Sequence, residues 1–331
     1  MNYRQMLLLG ALFVVTALLH GAHAVSHSGY TGQMGNIYTL GSAVPLYFSL
    51  KSAEYTITRQ HFSNIDIVPG ARVKLLVIHF SLQNPLRDPV RITRDTLRFT
   101  VEDTINMRYT AVDEIGVAET GQSLEMTLQP AQQVKLYAVF LLPATSNATT
   151  LTVLPQDAEG RLIQYPLQGK IQALPVAVAD PADTTGTSTR DDVPMLPGAF
   201  FPSGVLDIRI DGIQLISNTG NNHPQTMARS LTINMSVKNM SASSFKIYPG
   251  ALTAVLQMTN GPIACDNMQL VDGVNRANDL LLQPRQVTRI RLSFPIPDNV
   301  GLTKVFIHEN TPLSQGKQEN RQFTIDVSQV K

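Results

Sequence analysis

Beyond its first 24 residues the chain carries five histidines, His27, His61, His79, His223 and His308, and one cysteine, Cys265. These are the side chains to test first for metal or nucleophilic chemistry. A single cysteine excludes an intrachain disulfide and a thiolate zinc site. The histidines are far apart, and none has a second ligand at metal spacing. H-E-x-x-H, G-x-S-x-G, a P-loop and a helix-opening G-x-G-x-x-G are all missing from the sequence. The expectation is a protein that is not an enzyme and that needs no cofactor.

His27 has the sharpest alternative reading. Cleavage after Ala24 would leave Val25-Ser26-His27 at a free N-terminus. An amine, two deprotonated amides and the imidazole then supply four nitrogens in a square plane, which suits Cu(II) or Ni(II). Cys265, in Gly261-Pro-Ile-Ala-Cys-Asp, has two readings. It is either an intermolecular bridge in an exported protein or a half-buried thiol acting as a small hydrophobe. Asp180, Asp183, Asp191 and Asp192 form no calcium loop and read as solvating charges. Arg285, Arg289, Arg291 and Lys304 form at most a small basic patch. Asn147, Asn234 and Asn239 begin N-x-[ST] triplets by chance, since Asn234 falls inside a strand pattern.

That cleavage is expected from residues 1–24, MNYRQMLLLGALFVVTALLHGAHA. Arg4, the apolar run from Met6 to Leu19 and Ala22-His23-Ala24 have the three-part layout of a signal peptide. The run is short for a membrane span, and no transmembrane segment is expected after cleavage. Removing it takes the net charge from +1 to zero, which excludes a nucleic-acid partner held by bulk charge.

The elements that must position any site come from an internal repeat. His79-Phe-Ser-Leu-Gln-Asn84 lies over Asn234-Met-Ser-Val-Lys-Asn239, Ile92 over Ile247 and Leu97 over Leu252, all at an offset of 155 residues. Leu128-Gln-Pro130 matches Leu282-Gln-Pro284, and Phe140-Leu-Leu-Pro143 matches Phe294-Pro-Ile-Pro297, at 154. Within each copy, apolar and polar residues alternate with the period of strands, and Pro-Gly and Asn-Pro turns separate the runs. The reading is all-β: two tandem antiparallel immunoglobulin-like β-sandwiches, 44–168 and 205–331. The Gly/Ser-rich stretch 25–43 reads as a flexible arm. The Pro/Gly/Thr/Asp-rich stretch 169–204 reads as a flexible linker.

Four features recur in order in both copies. They are a first strand (Leu50-Lys-Ser-Ala-Glu-Tyr55; Ile208-Arg-Ile-Asp-Gly-Ile213), a long strand ending in Asn84 or Asn239, a strand with Leu97 or Leu252, and Leu-Gln-Pro before a strand ending Phe-x-x-Pro. On these residues each copy resembles the secreted bacterial immunoglobulin-like domains of the immunoprotective-antigen-like superfamily. The glycine usual in its Leu-Gln-Pro turn is absent. The resemblance implies a secreted or periplasmic protein with an accessory, non-catalytic role. Its partner would be a protein or a cell-envelope component, bound through the long segments 103–127 and 260–281.

Overall fold

A computed structural model of the chain describes residues 30–63, 65–156, 161–217, 229–247, 250–265, 267–271, 280–297, 299–310 and 320–330. Residues 1–24, expected to be a signal peptide, lie outside them, as do His27 and His223. The fold is all-β, and the described residues contain a single 3-10 turn, Arg94–Thr96.

The alternation seen in the sequence is the alternation of faces. In strand Leu97–Asp103 the side chains of Leu97, Phe99, Val101 and Asp103 are buried while Arg98 is exposed. In its counterpart Leu252–Met258, Leu252, Ala254, Leu256 and Met258 are buried. Successive side chains of a strand point to opposite faces, so each run covers one core.

The two copies share one topology. The first sheet of sandwich 1 runs Tyr30–Thr31, Ile163–Pro166, Ala148–Pro155, Leu97–Asp103, Arg108–Thr110. The second runs Ile115–Val117, Gln133–Pro143, Val73–Gln83, Leu46–Thr56, Tyr38–Leu40. Sandwich 2 repeats this strand for strand. Its sheets run Asp192–Pro194, Gln322–Asp326, Leu302–Glu309, Leu252–Met258, Gly261–Ala264 and Asn267–Leu270, Val287–Ile296, Arg229–Asn239, Leu206–Ser217, Phe201–Pro202. The outermost strands Tyr30–Thr31 and Asp192–Pro194 both add in parallel. Both first strands bulge, at Lys51 and at Asp211. Leu50 pairs with Phe80 and Ile210 with Met235. Ile210, not Ile208, is therefore the counterpart of Leu50, two residues from the match read in the sequence.

The repeated polar residues build turns. Asn84 Nδ2 donates to the carbonyls of Asp88 and Leu128 at 2.8 and 3.0 Å. Asn239 Nδ2 donates to those of Ser243 and Leu282 at the same two distances. Gln132 and Gln286 accept from the N–H of Gln129 and Gln283, both at 2.8 Å. At the turns that follow, Ala131 and Arg285 sit at φ of 61° and 63°, a region that costs a residue with a Cβ about 1–2 kcal/mol. Exchanging each for glycine is expected to raise stability by about 0.5–1 kcal/mol in urea titration, because the strain removed exceeds the added chain entropy.

The arm and the linker correct the sequence reading, because the described parts of both are held in place. In the arm, Gly32 N donates to Gln164 O at 2.8 Å and Leu40 is buried. A Cβ on Gly32 would lie 2.5 Å from the Tyr165 ring, so the glycine allows close packing rather than mobility. In the linker, Leu174, Val178, Val193 and Met195 are buried. Asp183 accepts from Ser188 N at 2.6 Å, Thr185 Oγ1 at 2.6 Å and Thr187 N at 3.1 Å. These bonds, that from Thr185 foremost, hold its carboxyl far below the ordinary range. Composition treats Asp and Thr as solvated, but over five residues they form a self-bonded turn. Thr187 O accepts from the fully buried Lys74 ammonium, which lies 4.2 Å from the Tyr55 ring centroid. Burial pulls the Lys74 pKa down to about 8.

Candidate binding surface

The segments 103–127 and 260–281 occupy equivalent places. Each begins as an edge strand of one sheet, Arg108–Thr110 or Gly261–Ala264, and crosses to the edge of the other, Ile115–Val117 or Asn267–Leu270. They are sheet-to-sheet crossovers rather than free loops. The copies differ at the first hairpin. In sandwich 2, Met258 pairs with Gly261 around Thr259 and Asn260. In sandwich 1, Glu102 pairs with Arg108, and the tip is longer.

That tip presents Ile105 at 74% and Met107 at 53% exposure. Buried Asp103 holds it. Asp103 Oδ1 accepts from Ile105 N at 3.0 Å and Met107 N at 2.9 Å, and Oδ2 accepts from Ser146 Oγ at 2.8 Å and Tyr109 Oη at 2.9 Å. Asn106 completes the turn at φ 62°. Burial pushes the Asp103 carboxyl up, but these four donors outweigh it and hold the pKa below the ordinary carboxylate value. Two of these hydrogen bonds hold the tip's backbone and two anchor Asp103, and the Ile105 and Met107 side chains stand exposed above it. Ile and Met inside an otherwise polar turn were the sequence signal for this tip.

Elsewhere the candidate residues separate. His61 Nδ1 lies 2.6 Å from Asp66 Oδ1, and His79 Nε2 lies 3.2 Å from Glu54 Oε1. Tyr137 stands between these histidines, its hydroxyl donating to the His61 carbonyl and its ring 6.3 Å from that of His79. Its pKa is pushed up to about 12 by burial and by Asp66. His308 is on the other sandwich, half-buried in strand Leu302–Glu309. Among the described residues no group of three His, Cys, Asp or Glu is placed to hold a metal ion. Cys265 is half-buried against the core, with its Sγ 3.6 Å from Ser293 O. The basic patch divides. Arg289 and Arg291 share a strand, and Arg291 Nε donates to Asn234 at 3.1 Å. Lys304 lies in the other sheet, 3.5 Å from Asp192.

Two arginines tie the sandwiches together. Arg59 donates to Asp207 at 2.8 Å and to Gly204 O at 2.7 Å, and pairs with Asp66 at 3.3 Å. Arg321, 2% exposed, donates to Gly70 O, Val73 O, Thr189 Oγ1 and Arg190 O. The contacts join the end of sandwich 1 that holds Val73 to the end of sandwich 2 that holds Leu206.

No family model matches the chain, and no curated protein sequence does. Solved structures similar to parts of it include a β-sandwich protein. An uncharacterized β-sandwich protein from Clostridium difficile 630 shares 10% identity, covering 42% of this chain and 94% of its own, with a TM-score of 0.32. The secreted protein MPT63 from Mycobacterium tuberculosis shares 13%, covering 43% and 99%, at 0.30. The yjhA protein from Bacillus subtilis shares 12%, covering 40% and 99%, at 0.28. Among the described residues no helix is long and apolar enough to cross a membrane.

Proposed function

We propose that this is an exported, non-catalytic binding protein of the immunoprotective-antigen-like kind, and that it acts in the periplasm or outside the cell. Its two sandwiches work as one joined body. Ile105 and Met107 are the contact that a partner protein of the cell envelope buries. The observation that carries this reading is the Asp103-held tip. Because the turn's backbone is already ordered, little backbone entropy is lost on binding, and seating the two side chains removes apolar area from water. The shorter hairpin of sandwich 2 offers no such tip, so the function is assigned to the first copy.

The test is recovery from envelope extract on the immobilised protein, compared with an I105S/M107S variant. Both side chains are exposed, so the variant is expected to melt within about 1–2 °C of the parent. Retention of the partner is expected to fall at least about tenfold, as for a lost hot spot. Equal recovery by both proteins would remove the tip from the binding site.

A further inference from the structure

The duplication lets one copy serve as the reference for the other. At the end of sandwich 2 that meets sandwich 1, the space between the sheets is filled by a carboxylate. Glu309, fully buried, accepts from Val205 N at 3.0 Å and from Leu206 N at 3.1 Å, and Asn320 Nδ2 donates to the Glu309 carbonyl at 2.7 Å. The packing is close: a Cβ on Gly204 would lie 3.0 Å from the Glu309 carboxylate and 2.9 Å from the Asn320 amide.

In sandwich 1 the acceptor and one of its donors are changed together. Leu252 pairs with Glu309, and its counterpart Leu97 pairs with Pro155. Leu206 corresponds to Leu46, so Val205 corresponds to Pro45. Proline at 155 supplies no carboxylate, and proline at 45 has no N–H to satisfy. The hairpin that closes this end is also longer. Gly41 to Pro45 join Leu40 to Leu46, where sandwich 2 has only Gly204 and Val205 between Ser203 and Leu206. The result is a cavity of about 330 Å³ lined by Leu40, Val44, Leu46, Val90, Leu97 and Pro155. It lies at the end of strand Leu97–Asp103 opposite the Ile105 tip and away from the joint.

We infer that this cavity is a second site, which takes the alkyl chain of a small amphiphile with a carboxylate at its end. The volume falls within the range of ligand pockets, about 300–1,000 Å³. Most of the lining is apolar where the other copy buries a carboxylate, which selects a chain. The charge selects the head: Arg91 lines the rim, and its pairing with Glu125 at 2.7 Å is between side chains each 71% exposed. Such a pair is weak in water, so the guanidinium can turn to a ligand carboxylate. Thr96 and Gln156, also in the lining, add polar side chains.

The experiment is titration of the protein with decanoate, followed through the methyl resonances of Val44, Val90 and Leu97. The expected result is saturable, site-localised shifts. A P45V/P155E variant, which rebuilds the arrangement of sandwich 2, and a V44W variant, altered at an exposed position, are both expected to lose them. Arg91→Ala is expected to weaken decanoate about tenfold, the loss of one modest charge contact, and to leave decanol unchanged. Absence of saturable shifts, or shifts undiminished in both blocking variants, would overturn the site. Equal weakening of decanoate and decanol by Arg91→Ala would overturn the carboxylate assignment. The I105S/M107S variant is expected to bind decanoate normally, so this site and the envelope contact succeed or fail separately.

Discussion

Arg321→Ala is expected to lower stability by about 3–5 kcal/mol, the usual cost of breaking a buried charged network, and to divide one unfolding transition into two. The guanidinium is 2% exposed and reaches four acceptors on two other parts of the chain. Gly70 and Val73 open the central strand of sandwich 1, Thr189 and Arg190 belong to the linker, and Arg321 itself precedes the last strand of sandwich 2. Truncation leaves the buried Gly70 carbonyl and the half-buried Val73 and Arg190 carbonyls without this donor, and of the two arginines only Arg59 still ties the sandwiches. Burial lowers the Arg321 pKa only to about 10, so the side chain is charged at neutral pH. Arg321→Lys keeps the charge but not the planar fork, and is expected to recover little of the loss. The repeat supplies a control. Arg161 is the counterpart of Arg321, but it is exposed and packs on the Tyr30 ring with its centroid 5.3 Å away. Arg161→Ala should cost about 1 kcal/mol or less. Calorimetry and urea unfolding separate the cases, and a single transition with an unmoved midpoint in Arg321→Ala would show that the joint does not depend on it.

Asp103→Ala is expected to cost about 3 kcal/mol and to loosen the tip before the rest of sandwich 1. Hydrogen bonds to a charged acceptor contribute about 1.5–3 kcal/mol each, less than additively within one network. Deleting the carboxylate strands Ser146 Oγ and the N–H groups of Ile105 and Met107. Because the folded pKa lies below the ordinary value, the stabilisation is complete above the unfolded carboxylate pKa near ~3.9. It is lost as pH falls through that value toward the lower, folded one. Asp103→Ala should therefore flatten the acid limb of the stability profile, and amide exchange at Ile105 and Met107 should accelerate most. An acid limb of unchanged slope would remove Asp103 from the account. Loss of the partner in this variant, with both apolar side chains intact, would show that binding needs the ordered turn.

What could be read along the chain was whatever depends on local period and on recurrence. Alternating faces gave the strands, because a strand between core and water has to alternate. The offset of 155 residues gave the duplication, because equivalent turns need the same Asn84/Asn239 and Leu-Gln-Pro residues. Strand Val73–Gln83 alternates poorly, since Leu75 and Val77 on its outer face are covered by Phe62 and Ile67 of a neighbouring hairpin. Composition does not reveal the order of the described parts of the arm and linker, because it counts Gly, Asp and Thr without what they touch. Gly32 is fitted to a tyrosine ring, and Asp183 binds its own turn.

The remainder was settled in three dimensions. Arg321 looks like any surface cation until its strand is set against residues some 250 positions earlier. Its repeat partner Arg161 is the same residue type with the opposite burial. Pro45 and Pro155 are unremarkable alone and meaningful only beside Val205 and Glu309. Burial, charge pairing and cavity shape are properties of contacts between distant segments, and those contacts exist only once the chain has folded.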